Sequence, residues 1–201
     1  MSTTIAGLAA DPEPLTRRLT VAGTAFTFRA LVAGDAAAMA AFLAGPGDPA
    51  RGFWHGDADP HAQAAEWTDA IGRYDKLRLV VHEPDRPDRL DGMVDLSFSL
   101  PDGYEITRYA RHGIALDPDR TVRFGPCVAD ARRGGGLAAA LLPPTWDVVR
   151  MLGCHRVVLY GGVHAENGRA QRFYRRHGFV DVGPFVDDTG TDGIDMMLDL
   201  A

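Results

Sequence analysis

The stretch FGPCVADARRGGGLAAALL (residues 124–142) decides the fold. An apolar strand ends at Val128, a short polar turn follows, and Arg-Arg-Gly-Gly-Gly opens a helix. The start of a helix leaves backbone N–H groups unpaired in front of the positive end of the helix dipole, and glycine lets an anion approach the backbone. The stretch therefore predicts a phosphate-binding turn, although a glycine-rich loop that binds nothing has the same composition.

Two common phosphate-binding motifs do not fit this stretch. A P-loop needs Gly-Lys followed by Ser or Thr, which the segment lacks. The dinucleotide fingerprint follows the first strand of a βαβ unit, whereas this turn comes after several predicted strands. A different kind of phosphate site is indicated.

A second informative segment, VHAENGRAQRFYRRHGF (residues 163–179), begins some forty residues after the start of the first. Asn167, Ala170 and Tyr174 are spaced by three and four, so they share one face of a predicted helix. His177 and Gly178 form a C-cap, after which Phe179 begins an apolar strand. The two segments are therefore predicted to be a strand–turn–helix and a helix–turn–strand.

Together the segments resemble the Gcn5-related N-acetyltransferase (GNAT) superfamily. The family's pyrophosphate loop, Arg/Gln-x-x-Gly-x-Gly/Ala, is matched by residues 133–138, with Val128 at the expected position before it. The later pattern is matched over residues 163–179, at Val163, Asn167, Ala170, Phe173, Tyr174, Gly178 and Phe179. Both motifs occur in the family's order and at its separation, and the similarity covers about residues 121–183.

The resemblance implies where acetyl-CoA would bind. The co-substrate would lie in a cleft where the strand at 121–128 splays from the strand at 156–160. The backbone of Cys127 and Val128 would pair with the pantetheine arm, and the Asn167 side chain would bond near it. The pyrophosphate would be held by the amides of Arg133, Gly134, Gly135, Gly136, Leu137 and Ala138.

The resemblance also implies a reaction in which a primary amine attacks the thioester directly, and Tyr174 protonates the departing CoA thiolate as general acid. Alternatively, Tyr174 on this helix face is a core aromatic with no catalytic role.

Many members of the family carry a glutamate early in the strand before the loop, but residues 121–124 contain no carboxylate. The candidates for the general base are therefore Asp95, Glu105 and His112. Alternatively, a water relay takes the proton, or the amine arrives already neutral and needs no base. Cys127 has no His/acid partner placed for it and is interpreted as a buried strand cysteine, not a nucleophile.

Two other functions stay open. One is a catalytically weak acyl-CoA-binding sensor or interaction module of the same fold, for which the missing base is the reason. The other is an unrelated phosphate-binding enzyme. The acceptor is not readable from the sequence, because substrate choice in the family depends on its first helices and nearby loops, here residues 45–61 and 101–120.

The order of predicted elements gives an α/β (α+β) class. We expect the GNAT fold, with a mixed central sheet of about six to seven strands, splayed between the fourth and fifth, and about four flanking helices. Residues 1–14 are expected to be a disordered lead and residues 15–201 a single domain. Pro143 and Pro144 fall inside the helix after the loop, so we expect that helix to be kinked but not lost.

Composition narrows the partners. The net charge is −6, and the entire acidic excess lies in residues 1–120, which argues against a nucleic-acid-binding face. No apolar run is long enough to cross a bilayer, no secretion signal is visible, and two cysteines form no disulfide framework. We expect a cytoplasmic enzyme with acetyl-CoA as co-substrate, no metal, no membrane contact and a small-molecule or peptide amine as acceptor. A homodimer is left open.

Overall fold

Alternating polar and apolar residues near the start of the chain form the predicted hairpin. Strands β1 (Arg17–Val21) and β2 (Thr24–Ala30) pair antiparallel, with Val21 opposite Thr24. Ala22 and Gly23 between them have φ of +48° and +82°, the backbone of a type I′ turn, which matches the twist of the two strands. β2 turns Phe26, Phe28 and Ala30 into the core.

The computed structural model describes residues 4–45, 59–69, 75–100, 105–187 and 190–200. They belong to two compact units. The first comprises Met1–Asp95 and Pro126–Val148, and the second comprises Leu96–Gly125 and Val149–Ala201. The expectation of one domain over residues 15–201 stays a prediction.

In the first unit, β2 pairs antiparallel with β3 (Lys76–His82), and β4 (Gly92–Ser97) follows β3 in the sheet. Helices α2 (Ala36–Ala44) and α3 (Pro60–Asp69) pack on this part of the chain. Their shared core contains Met39, Phe42, Ala64, Val80 and Met93. Most of the segment 45–61, one of the two expected to affect acceptor choice, lies outside the described residues.

The start of the chain differs from the expected disordered lead. Helix α1 (Ile5–Ala10) forms there, with the Thr4 hydroxyl accepting from the Gly7 amide at 3.1 Å. Leu8 and Leu15 are only 5% and 1% exposed. Burial of these two leucines accounts for a helix too short to be stable alone.

In the second unit, residues 121–124 of strand β5 (Thr121–Val128) pair parallel with β6 (Arg156–Leu159), and the last three residues of β5 belong to the first unit. β6 pairs antiparallel with β9 (Asp192–Asp199), which also pairs with β7 (Val163–His164) and β8 (Val180–Val186). The β5–β6 register runs to Phe124 opposite Leu159, and the Tyr160 amide then donates to the Phe124 carbonyl at 3.0 Å. β5 continues four residues further, through Gly125 and Pro126. Proline has no N–H to extend a ladder.

The ambiguous segment 101–120 contains helix α4 (Glu105–Arg111), while residues 101–104 lie outside the described residues. α4 buries Tyr109 completely, in a cluster with Leu100, Leu116 and Val158. The Tyr109 hydroxyl donates to the Met196 carbonyl at 2.9 Å, which fixes the helix to β9.

Helix α5 (Leu137–Met151) is continuous through Pro143 and Pro144. The two prolines therefore do not abolish the helix, as the sequence predicts. The predicted kink stays a prediction. Helix α6 (Gly168–Arg176) ends at the predicted C-cap, where Gly178 has φ of +89° and the Phe179 amide donates to the Tyr174 carbonyl at 3.1 Å.

The mixed α/β class is confirmed. The described residues form nine strands rather than six or seven, and six α-helices rather than about four. The additional elements are mainly α1, α4 and the two-residue strand β7.

Candidate functional site

The glycine turn has the backbone that the sequence predicts. A 3-10 helix (Asp130–Arg132) follows β5, and residues 133–136 then turn into α5. Gly134 and Gly136 have φ of +81° and +84°, a region that favours glycine. All four turn residues are exposed. The turn therefore presents its backbone to solvent at the positive end of α5.

The six predicted amides are not equivalent. The Arg133 amide donates to the Asp130 carbonyl at 3.1 Å, and the Gly135 amide donates to the Arg132 carbonyl at 3.4 Å. Within the part of the chain that the structure describes, the amides of Gly134, Gly136, Leu137 and Ala138 donate to no protein acceptor. Four N–H groups are thus available to an anion at this turn.

The two adjacent arginines have different surroundings. Arg133 is at the surface and pairs with Asp130 at 2.6 Å. Arg132 donates through Nε to Asp91 at 2.8 Å, pairs with Glu83, and lies 5.3 Å from the centre of the Phe26 ring. The hydrogen bond to Asp91 and the charge of Glu83 raise the pKa of Arg132 above its ordinary value. Arg132 therefore has a structural role, since it binds two carboxylates of the protein, whereas Arg133 lies at the surface in the turn.

The strand before the turn is held close to β4. The Ala129 amide donates to the Asp91 carbonyl at 2.9 Å. A Cβ on Gly92 would lie 3.1 Å from the Cys127 carbonyl oxygen and 3.2 Å from a Val128 methyl group. Burial raises the pKa of the Cys127 thiol to about 11, so the thiol is neutral at physiological pH. This environment agrees with a structural cysteine.

Asn167 is the N-cap of α6. Its side-chain oxygen accepts from the Ala170 amide at 3.1 Å, and its backbone carbonyl accepts from Gln171 at 3.1 Å. The oxygen is therefore used by the helix, and the amide NH₂ remains as the part of the side chain that can serve a ligand. The predicted proximity of Asn167 and Ala170 is thus explained by a direct hydrogen bond between them, in addition to their spacing.

Tyr174 lies in an aromatic cluster of the second unit. Its ring centre is 5.4 Å from that of Phe173 and 5.2 Å from that of Phe179. Phe179 in turn stacks on Phe124 of β5 at 6.2 Å. The ring is half-buried. Phe179 therefore lies between Tyr174 and the last paired residue of β5, and Tyr174 has the packing of a core aromatic.

The two carboxylate candidates for the base are both next to arginines. Asp95 lies 3.6 Å from Arg78. Glu105 is 2% exposed, lies 3.8 Å from Arg123, and accepts from the Gly161 amide at 3.3 Å. Sequence reasoning missed both pairings, since the partners are distant in the chain. The third candidate, His112, is exposed at the end of α4.

The arginines of α6 are surface residues. Arg175 forms two hydrogen bonds with Asp181, at 3.0 and 2.6 Å, and the Arg176 Nε donates to the Arg172 carbonyl at 3.4 Å. Among the described residues, no group of three or more His, Cys, Asp or Glu side chains is arranged to hold a metal ion. Across those same residues, every helix is too short or too polar to span a membrane.

Comparison with known proteins identifies the family. The sequence profile of the acetyltransferase (GNAT) family matches residues 58–179. The chain belongs to this family. The predicted class, an acyltransferase of the acetyl-CoA-dependent N-acetyltransferase type, is thereby confirmed. No match was found among curated protein sequences.

Solved structures share the fold at low identity. The GNAT domain of S. lividans PAT is 18% identical, with a TM-score of 0.72, and the match covers 94% of this chain and 99% of that one. The ribosomal-protein-S5-alanine acetyltransferase from Vibrio fischeri is 13% identical, with a TM-score of 0.69 and coverages of 92% and 96%. The aminoglycoside acetyltransferase AAC(6′)-Ib, solved with paromomycin and acetyl-CoA, is 17% identical, with a TM-score of 0.66 and coverages of 87% and 93%.

The predicted site residues are divided between the two units. Cys127, Val128 and the turn at 133–138 belong to the first unit, and Asn167 and Tyr174 belong to the second. Their individual roles follow from the resemblance and are argued below. Glu83, Asp91 and Arg132, which hold the turn, were not found from the sequence. The only signal for them was the pair of adjacent arginines.

Proposed function

We propose that the enzyme transfers the acetyl group of acetyl-CoA directly to a primary amine. The amine nitrogen attacks the thioester carbonyl, a C–N bond forms, and the C–S bond breaks. Tyr174 gives its phenolic proton to the departing thiolate, and the nitrogen loses one proton, which restores the phenol directly or through solvent. No acyl-enzyme forms in this scheme, in keeping with the neutral, buried thiol of Cys127.

The observation that carries the proposal is the turn at residues 133–138. Four amides without protein acceptors, two glycines at positive φ and the start of a 15-residue helix fit a diphosphate. In family members this position holds the pyrophosphate of CoA, according to the resemblance. We assign the amides of Gly134, Gly136, Leu137 and Ala138 to the phosphate oxygens, with Arg133 adding charge.

We assign the remaining cofactor contacts to the backbone of one strand segment and to one side chain. The backbone of Cys127 and Val128 would pair with the amides of the pantetheine arm. Because the Asn167 oxygen caps α6, we propose that its NH₂ group donates to a pantetheine carbonyl. This assignment keeps the helix cap intact when the cofactor binds.

We propose that no carboxylate takes the amine proton. Asp95 and Glu105 each lie beside an arginine, and taking a proton would remove the charge that these ion pairs need. The amine therefore arrives neutral or passes its proton to water. This part of the proposal has its own test in the pH dependence of the rate.

The test uses acetyl-CoA, a panel of primary amines and detection of the free CoA thiol. Tyr174→Phe is expected to reduce kcat by about 100-fold while its affinity for CoA, measured by calorimetry, stays within twofold. Tyr109→Phe serves as the control, since its hydroxyl bonds only to a backbone carbonyl of the core. That variant should lose stability but retain kcat. An unchanged kcat in Tyr174→Phe would remove Tyr174 from the mechanism.

A second candidate function is the acyl-CoA-binding sensor or interaction module. The observation that favours it is the absence of a carboxylate at residues 121–124, where Arg123 instead pairs with Glu105. This candidate predicts a normal CoA affinity but no turnover of any amine in the panel. Absence of CoA binding would contradict both candidates.

The acceptor class proposed here is a small-molecule or peptide amine. Two structural neighbours, a ribosomal-protein alanine acetyltransferase and an aminoglycoside acetyltransferase, support both kinds of amine. Nucleic acid and membrane are not proposed as partners, and a homodimer stays a prediction.

A further inference from the structure

The second unit contains a cavity of about 230 Å³ that the proposed cofactor site does not use. One wall is the end of α4, with Arg108, Arg111 and His112. The opposite wall is β8, with Pro184, Phe185 and Val186. A polar, cationic wall therefore faces an apolar one.

The cationic wall keeps free charge. Arg108 is buried and forms two hydrogen bonds with Asp195, both at 2.9 Å, so its charge is balanced within the protein. Arg111 and His112 are exposed, and among the described residues no carboxylate lies within ion-pairing distance of either. In a chain with net charge −6, this is a local cationic site. It suits a ligand with a negative group.

The apolar wall is fixed in place. The Phe185 ring lies under the Arg108 guanidinium, 4.0 Å from the ring centre, and it occupies the space where a Cβ of Gly162 or Gly193 would be. Val186 is 64% exposed at the rim. A β-bulge between Asp181 and Gly183 interrupts β8. The ring of His112 lies directly against Gly183, so a Cβ at this position would displace the ring.

The cavity lies beside the end of the β5–β6 pairing. The last bond of that pairing is from the Tyr160 amide to Phe124, and the next amide, Gly161, donates to Glu105 of α4. Gly162 then contacts Phe185 of the cavity wall. The segment 160–162 thus connects the cavity to the place where the two strands separate. The resemblance to the family places acetyl-CoA where these two strands separate.

We infer that the cavity binds the acceptor, and that the acceptor is a primary amine that also carries a carboxylate and an apolar segment. This inference rests on the proposed function. The carboxylate pairs with Arg111 and accepts a hydrogen bond from the His112 ring, the apolar segment lies on Phe185 and Val186, and the amine extends toward residues 160–162. The enzyme therefore selects amino acids or peptides with a free carboxylate over neutral amines and diamines of equal length.

The experiment compares matched acceptors. One series is H₂N–(CH₂)ₙ–COO⁻ with increasing n, and the second is the corresponding series of amides. A third series of diamines tests the opposite charge preference. We expect kcat/KM to be about two- to fivefold higher for the acids at the best chain length, since a partly exposed ion pair gives an effect of this size. Equal values for acids and amides, or a preference for diamines, would overturn the inference.

Substitutions in the cavity wall test whether the preference for acids over amides depends on this cavity. Arg111→Gln should bring the acid-to-amide ratio close to one, and Phe185→Ala should reduce the gain from a longer apolar segment. Arg86→Gln removes an exposed arginine from the first unit and should leave the ratio unchanged. Circular dichroism confirms that each variant is folded. A ratio that survives Arg111→Gln contradicts the assignment of the cavity.

Failure of the proposed function gives a different result. If the protein binds CoA but acetylates no amine, the cavity is tested alone by titration with hexanoate and with hexanamide, followed by NMR of the His112 ring. Hexanoate binding that is lost in Arg111→Gln supports the anion site without any turnover. No hexanoate-dependent change in the wild-type protein overturns it.

Discussion

The Nε atom of Arg132 donates to Oδ1 of Asp91 at 2.8 Å, and this bond fixes the turn that precedes the glycines. Asp91 is 2% exposed, its amide donates to the Val81 carbonyl, and its own carbonyl accepts from Ala129. One aspartate therefore connects β3, the chain after β5 and the 3-10 helix. The turn therefore depends on an ion pair whose carboxylate is buried in the protein.

Replacing Arg132 should weaken cofactor binding through the scaffold. In Arg132→Gln, the buried Asp91 carboxylate loses its cation, so we expect the free energy of unfolding to fall by about 2 kcal/mol. The dissociation constant and the KM for acetyl-CoA should rise by about fivefold, with kcat changed less than twofold. Urea denaturation and calorimetry with CoA measure the two effects.

Arg29→Gln is the matched control for Arg132→Gln. Arg29 pairs with the buried Asp35 at 2.7 Å in the same unit, away from the turn. It should lose comparable stability and keep its affinity for CoA. If both variants lose affinity equally, the effect is one of general stability, and Arg132 has no special relation to the turn.

Alanine substitutions at two glycines with the same backbone conformation distinguish an effect on CoA binding from an effect on stability. Gly134 has φ of +81° and Gly153, after α5, has φ of +84°, and a Cβ on either would meet open space. Alanine at either position should cost about 1–2 kcal/mol through left-handed backbone strain. Only Gly134→Ala should also lose affinity for CoA, because it alone changes the phosphate turn. Equal CoA affinities in the two variants would argue against the turn as the phosphate site.

The elements predicted well are those whose signals are local. The strand at 121–128 was placed at its observed bounds, because an apolar run ends there at a polar turn. The C-cap at His177 and Gly178 was found because glycine is needed at positive φ. The turn between β1 and β2 follows the same rule.

The elements that sequence analysis missed depend on distant partners. The buried face of α4 includes Glu105 and Arg108, which have no apolar periodicity and are buried only because they contact Arg123 and Asp195. In the same way, nothing local distinguishes Arg132 from Arg133. Their roles are decided by Glu83 and Asp91, which lie more than 40 positions earlier.

Both cysteines should react slowly with alkylating reagents. Burial raises the pKa of Cys127 and of Cys154 to about 11, so only about one thiol in 3,000 is ionised at pH 7.5. The rate of iodoacetamide modification, measured by mass spectrometry, should increase about tenfold per pH unit up to pH 10. In urea, the same rates should level off near pH 9. A plateau below pH 9 in the folded protein would restore Cys127 as a candidate nucleophile.

The raised thiol pKa values also set the direction of an alkaline stability change. The unfolded chain ionises its thiols at about pH 8.5, before the folded protein does, so it binds fewer protons above that pH. The free energy of unfolding should therefore decrease between pH 8.5 and 11. Replacing both cysteines with alanine should flatten this part of the stability curve, and an unaltered slope would assign it to other groups.

The pH dependence of the rate tests whether the amine arrives neutral. If no protein group takes the proton, log kcat/KM should rise by one unit per pH unit and level off at the pKa of the amine itself. A series of fluorinated ethylamines, which titrate at progressively lower pH, should shift the break by the same amount as their own pKa. All measurements stay below pH 8.5, where the cysteines do not affect stability, so the series is limited to fluorinated amines that titrate below this pH. A break that stays at one pH for every amine would identify a base in the protein and would return Asp95, Glu105 and His112 to consideration.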